Sequence, residues 1–402
     1  MLPFLFPVID SRAGSHDFSS RAQVTPMMRF DLNPEGWIHW PERADLSLEF
    51  MRLLATAQEG GSTVSECWLT ASRIDFADDD SWYQEWTETA DSNNVRAMAA
   101  LAEGNLVTAR NNWLRAINYY QAAAYPLDLS EDSKSAALAA MRTCAANYLK
   151  HCEPRGEVVS IPWLDEFPLQ GYFLPACAAK DPAPVVICIG EPGHRKEEYL
   201  FKMARHARER GISMLAVDIL GNGSGVGLEE VMQNHKLESA IGHIMDYLLG
   251  REDIARDRIA ILGDSWGSSF VARGIAFDQR FAAAVCDGGV WDAHERAFLR
   301  QRMAIADVGS GFNRESNRIL RSIQCPLLIT LGERGWLKPE RVVELTNQLR
   351  AENRGVTLKV FKRSETAAEQ GHMDNPTLAN EFIFDWIASR LGSVARKLEL
   401  QV

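Results

Sequence analysis

The stretch ILGDSWGSSF, residues 261–270, decides how the rest of the chain is read. Its first two residues suit the end of a strand, and the small residues after Gly267 suit a closely packed helix. Between them Ser265 stands in a Gly-x-Ser-x-Gly frame with Asp264 and Trp266. A serine hydroxyl is a weak nucleophile unless its geometry and its base are both arranged. In this frame the serine takes a strained strand-to-helix turn, and the two glycines let the chain pass close to itself. The flanks agree, since DRIAIL (257–262) is apolar with β-branched residues and SSFVARGIAF (268–277) has apolar residues at helical spacing. Ser265 is therefore the candidate nucleophile, against the plainer reading of a turn serine.

Outward from this turn the texture is alternating strand and helix from Gly156 onward. EVVSIPW and LQGYFLPAC read as a hairpin, and PVVICIG, SMLAVDI, RIAILG, FAAAVCDGG, CPLLITLG and VTLKVFK as further strands. Between them lie helical patterns, including EEYLFKMARHARERG, VMQNHKLESAIGHIMDYLLG and a closing NEFIFDWIASRLG. This alternation implies a mostly parallel sheet flanked by helices, with function collected at the carboxyl ends of its strands. Upstream, roughly residues 42–152 are helix-rich, so two units are expected: residues 1–155 with a helical domain, and residues 156–402 with the α/β domain. Trp82, Trp86, Trp113, Tyr119 and Tyr120 stand at helical spacing in the first unit and suit either its core or a pocket wall.

The chain has 402 residues and is 46% hydrophobic, enough for a large core. Its net charge of -11, with no long basic run, argues against nucleic acid and anionic membranes as partners and leaves a small-molecule substrate. The seven cysteines are scattered, without a CxxC pair, and several fall inside apolar runs, as free thiols of a reducing, cytoplasmic setting would. MLPFLFPVIDS at the start has a short, proline-broken apolar run and does not read as a secretion signal.

A nucleophilic serine needs a base, and His372 in EQGHMDN follows the last strand in a loop before the closing helix. His206, His235 and His243 fall on helical patterns and read as solvent-facing, and His194 lies in another strand-end loop. An oxyanion needs preorganised donors. The backbone N–H of Trp266 is one candidate, and that of Glu191 in GEPGHRKEE is the other, because Pro192 has none.

These motifs together resemble the α/β-hydrolases, in the branch with an N-terminal helical domain. That branch includes FrsA-like esterases, 2,6-dihydroxypseudooxynicotine hydrolase and fungal pigment enzymes that shorten a polyketide chain. The resemblance spans about residues 100–392 and rests on LAEGNLVTARNNWLRAINYYQAAAY, VVSIPW, LQGYFLPA, GEPGHRKEE, VDILGNGSG, GDSWGSSF and GHMDN. It implies a substrate cleft between helical cap and sheet, no metal or organic cofactor, and a homodimer in many members. Its substrates are esters and carbonyl compounds split at a C–C bond. Trp82, Trp86 and Tyr120 are the expected pocket residues of the cap, because the strand-end loops are too short to enclose a ligand alone.

One motif departs from the family. The triad acid commonly stands in a Gly-x-x-Asp loop after the strand PLLITL, and here that loop is GERGWLKP, with Gly335 in place of the acid. The substitutes are Glu333 in the same loop, Asp287 at the end of the preceding strand, and Asp292 or Glu295 just beyond it. Glu333 ranks slightly above Asp287, with a Ser–His dyad third. The expected function is cofactor-independent serine hydrolysis of an ester or a β-dicarbonyl C–C bond in an aromatic or polyketide-like molecule of secondary metabolism. The alternatives are a cyclase, lyase or acyltransferase on the same scaffold, and a non-catalytic binding protein.

Overall fold

The computed structural model describes residues 38–126, 128–164, 167–177, 182–190, 196–219, 237–265, 267–289, 322–335, 337–352 and 355–392. The helix-rich part forms α1 (Ala44–Ala55), α2 (Val64–Ala71), α3 (Asp79–Ala102), α4 (Leu106–Ala123) and α5 (Glu131–Lys150). Thr63 and Ser130 start α2 and α5 by accepting hydrogen bonds from the third residue onward, Glu66 N and Ser133 N, which satisfies an otherwise orphaned donor. Trp82, Trp86, Trp113 and Tyr119 are among the largest fully buried side chains. The Trp82 ring lies 5.8 Å from Trp40 and 5.7 Å from Trp86, and Trp86 lies 5.6 Å from Tyr119, so this aromatic stripe is a bundle core.

The second part is an eight-stranded sheet in the order β1-β2-β4-β3-β5-β6-β7-β8. The hairpin of β1 (Glu157–Leu164) and β2 (Phe167–Leu174) adds antiparallel strands at one edge. The remaining strands, β3 (Ala183–Ile189), β4 (Ser213–Asp218), β5 (Ile254–Asp264), β6 (Ala283–Asp287), β7 (Leu327–Gly332) and β8 (Val356–Phe361), run parallel to one another. Every residue of β3, β4, β6 and β7 is buried, which is why these segments read as continuous apolar runs without alternation. Each fully buried Val, Leu or Ile contributes about 1.5–3 kcal/mol of apolar burial, so the central strands anchor whatever their ends carry.

The segment expected as one helix over 197–211 is two, α6 (Glu198–Lys202) and α7 (Ala204–Glu209), broken at Met203 with φ -128 and ψ -27. The break lets Lys202 meet Asp264 while His206 turns to Glu59. Further along are α8 (Leu237–Leu249), α9 (Gly267–Phe277), α10 (Pro339–Glu352) and α11 (Pro376–Leu391). Asn375 caps α11 at its start, and Gly392 ends it in the left-handed conformation with φ 61. Among the described residues no helix is long and apolar enough to cross a membrane.

Polar contacts tie the helical part to the helices that flank the sheet. Glu59, after α1, accepts hydrogen bonds from Arg205, His206 and Thr377, and Gln121 of α4 donates to Glu198 at 3.0 Å. His206 is thus not solvent-facing: it is buried with its Nε2 2.9 Å from Glu59, whereas His243 is exposed. His194 and His235 lie outside the described residues.

Candidate active site

β5 ends at Asp264, and Ser265 turns the chain with φ 54, in the left-handed region a non-glycine residue adopts only under constraint. The constraint is visible in the flanking glycines. A Cβ on Gly263 would stand 2.5 Å from the backbone of Gly267, and one on Gly267 would collide with the carbonyl oxygen of Ile189. Ser265 N donates to the carbonyl of Asp287 at 2.8 Å, and Ser268 Oγ donates to the same carbonyl at 2.9 Å. The elbow is therefore fastened to the end of the neighbouring strand β6.

Asp287 is also where the histidine arrives. The loop after β8 carries three residues with positive φ besides glycine, Thr366 (67), Ala367 (53) and His372 (55). It is stitched to the β7 loop by Arg334 N donating to Ala368 O at 2.8 Å. His372 closes a 3₁₀ turn, Gln370–His372, and its Nε2 lies 2.8 Å from Asp287 Oδ1, while Nδ1 lies 2.5 Å from the carbonyl of Ala367. Thr330 Oγ1 donates to Asp287 Oδ1 at 2.5 Å. A carboxylate and a carbonyl only accept, so a ring carrying both protons satisfies both contacts. Burial alone would push the imidazole toward neutrality, but the Asp287 charge and hydrogen bond outweigh it and hold the pKa of His372 above its ordinary value. For Asp287, burial opposes ionisation, and the facing imidazolium, Lys202 and the Thr330 hydroxyl overcome it and hold the carboxyl below its usual range.

Beneath the elbow lies a second buried ion pair, Lys202 Nζ to Asp264 Oδ2 at 2.5 Å, with Glu198 Oε1 3.9 Å from the same ammonium. Burial disfavours the Lys202 charge, yet Asp264 and its neighbours keep it firmly protonated. Asp264 Oδ1 is buried and has no hydrogen-bond partner among the described residues. The thiols offer no competing nucleophile in the bundle, where burial pushes Cys67 and Cys144 up to about 12. No cluster of metal-ligating side chains occurs among the described residues.

The sequence expectations fare unevenly. Ser265, His372 and Asp287 come together at the carboxyl edge of the sheet. Glu333, ranked above Asp287, is turned elsewhere: its Oε2 accepts from Arg363 N at 2.8 Å. The residue one step past the end of β7 follows the β8 side of the loop, while Asp287 ends the strand beside β5. Trp82, Trp86 and Tyr120, the expected pocket residues, are buried within the helical bundle. Both tryptophans are 0% exposed, Trp82 Nε1 donates to Ala122 O, and the Tyr120 hydroxyl donates to Asp91, so all three are spent on the bundle interior. Trp266, Glu191, Asp292 and Glu295 lie outside the described residues. Sequence reasoning missed Gln370, whose Nε2 donates to Ser265 Oγ at 3.3 Å, and Lys202. The adjacency of Gln370 to the histidine motif was a usable signal. Nothing in its helix singled out Lys202.

Comparison with known proteins agrees with this architecture. Residues 68–298 match the family described as esterase FrsA-like. The "Hydrolyase poxO" of Penicillium oxalicum (strain 114-2 / CGMCC 5302) is 26% identical over 316 residues, covering 74% of this chain and 67% of its own length. The "20-hydroxy-prefusarin hydrolase FUS2" of Gibberella moniliformis is 29% identical over 253 residues, covering 60% of each chain. The chain thus spans between three-fifths and two-thirds of the length of these relatives. The solved structure of 2,6-dihydroxy-pseudo-oxynicotine hydrolase superposes with a TM-score of 0.64 at 18% identity, over 84% of this chain and 95% of that one, and shares the fold. With a family match over more than half its length on an eight-stranded hydrolase sheet, the chain is an α/β-hydrolase and belongs to the FrsA-like esterase family.

Proposed function

We propose that the chain is a serine hydrolase in which Ser265 is the nucleophile, His372 the base and Asp287 the acid that orients it. The observation that carries this reading is the joint at Asp287: its backbone carbonyl holds Ser265 N, and its carboxylate holds His372 Nε2 at 2.8 Å. One residue thereby sets the positions of both partners. In turnover the imidazolium first gives up a proton to solvent water, and the neutral ring turns one nitrogen to Ser265 while Asp287 keeps the other. Oγ then bonds to the substrate carbonyl carbon and its proton passes to His372. Collapse of the tetrahedral oxyanion breaks a C–O or C–C bond, and the departing alkoxide or carbanion takes the proton from the imidazolium. Water, deprotonated by His372, hydrolyses the acyl-enzyme. One fungal relative is named a 20-hydroxy-prefusarin hydrolase, which supports hydrolysis of a small organic molecule; in this reading the bond cleaved is an ester or a β-dicarbonyl C–C bond of a polyketide-like or aromatic substrate.

The test is turnover of p-nitrophenyl esters and simple β-dicarbonyls by wild type and Ser265→Ala. Wild type is expected to release the acid product, and the variant to lose at least about 10³-fold in kcat. A folded Ser265→Ala enzyme with unchanged turnover contradicts the reading. One observation favours the non-hydrolytic alternative, namely that both ring nitrogens of His372 face acceptors other than Ser265. In that case His372→Ala abolishes conversion of a β-dicarbonyl while Ser265→Ala spares it.

A further inference from the structure

The loop that lacks the family's acid and the turn that carries the histidine meet at one side chain. Gln370 is 6% exposed and begins the 3₁₀ turn that ends in His372. Its Nε2 reaches Ser265 Oγ at 3.3 Å, and a Cβ on Gly335 would stand only 2.9 Å from its Oε1. The carboxamide thus fills the space between the nucleophile and position 335, and a side chain at 335 would press on it. Gly371 at φ 62 and His372 at φ 55 make the turn tight enough to aim two residues at two targets, Gln370 at Ser265 and His372 at Asp287.

We propose that Gln370 is a positioning group for Ser265: its amide N–H donates to Oγ, fixes the serine rotamer and stabilises the negative charge that grows on Oγ as its proton leaves. An amide cannot take that proton, so Gln370 does not replace the base. The glycine at 335 follows from the same arrangement, since it leaves room for the carboxamide. This inference rests on Ser265 being the nucleophile.

The experiment measures the second-order rate constant for phosphonylation by a fluorophosphonate in wild type, Gln370→Met and Gln370→Glu, with adduct position read by peptide mass spectrometry. In the labelling step the Oγ–P bond forms, the P–F bond breaks, fluoride leaves and the serine proton goes to the base. Methionine keeps the volume and removes the donor, so labelling should slow about tenfold, the factor that one modest hydrogen bond of about 1.4 kcal/mol represents. Glutamate donates only when protonated. The ratio of Gln370→Glu to Gln370→Met should therefore rise as pH falls through the carboxyl's pKa, a change that mere packing would not produce. Wild-type labelling at Ser265 with Gln370→Met equally fast, or a ratio flat with pH, overturns the role of Gln370 and leaves the nucleophile intact. Wild type unlabelled at Ser265 overturns both.

Discussion

Replacing Asp287 by asparagine keeps the shape of the joint and removes its charge. The carboxamide oxygen can still accept from Thr330, and the backbone carbonyl that holds Ser265 N is untouched, so the elbow should persist. The imidazolium of His372 loses its counter-charge at 2.8 Å, while Lys202, which also opposes its protonation, remains. The pKa of His372 should fall, because the charge and the hydrogen bond that hold it up are gone. The charge-assisted hydrogen bond lost from a site 2% exposed amounts to about 1.5–3 kcal/mol of stability. Its pH dependence has a definite sign. The raised His372 contributes fully below the ordinary histidine value, about 6.5, and less as pH climbs through the folded value. The lowered Asp287 contributes fully above the ordinary aspartate value, about 3.9, and less as pH drops through the folded one. The stability gap between wild type and variant should therefore be widest between about pH 4 and 6.5 and narrow on either side. Imidazole NMR titration reads the first quantity, denaturant unfolding at several pH values the second, and ester hydrolysis the third, where a loss of about 10³–10⁴-fold is expected. An unmoved His372 titration, or a loss under tenfold with the fold intact, would refute the assignment of Asp287.

Lys202→Met should destabilise the enzyme by about 3–5 kcal/mol, because it strands the Asp264 carboxylate in a buried site; urea unfolding checks this, and a change under 1 kcal/mol would sink it. Gly267→Ala should cost more than the roughly 1–3 kcal/mol of ordinary overpacking, since its methyl meets the Ile189 backbone. Gly242→Ala in α8 finds nothing within 4 Å and should be neutral or stabilising by up to about 1 kcal/mol. Thermal melts of the two variants side by side decide whether the close approach at the elbow is real, and equal melting temperatures would deny it.

The fold was legible where local pattern and tertiary environment agree. The buried strands have no polar alternation to confuse them, and the glycines at 263 and 267 announce a chain crossing that only glycine permits. Ser265 and His372 could be picked from their motifs because strand-end loops collect chemistry in such sheets. The choice between Glu333 and Asp287 could not be made from the sequence, since it depends on the direction in which each strand end points. The contacts of Gln370 and Lys202 were hidden for a related reason, since their partners, Ser265 and Asp264, are 105 and 62 residues away, although Gln370 at least stands inside the histidine motif. For the tryptophans of the helical part the sequence left two readings open, because aromatic residues at helical spacing serve a bundle core and a pocket wall with the same pattern, and their zero exposure places them in the core.

The most direct measurement of the central claim is the site of covalent capture by a fluorophosphonate, read by intact mass and peptide mapping in wild type and Ser265→Ala. A single adduct on the peptide containing Ser265, absent in the alanine variant, is the predicted result. A wild-type enzyme that turns over substrate yet carries no adduct at Ser265 would contradict it.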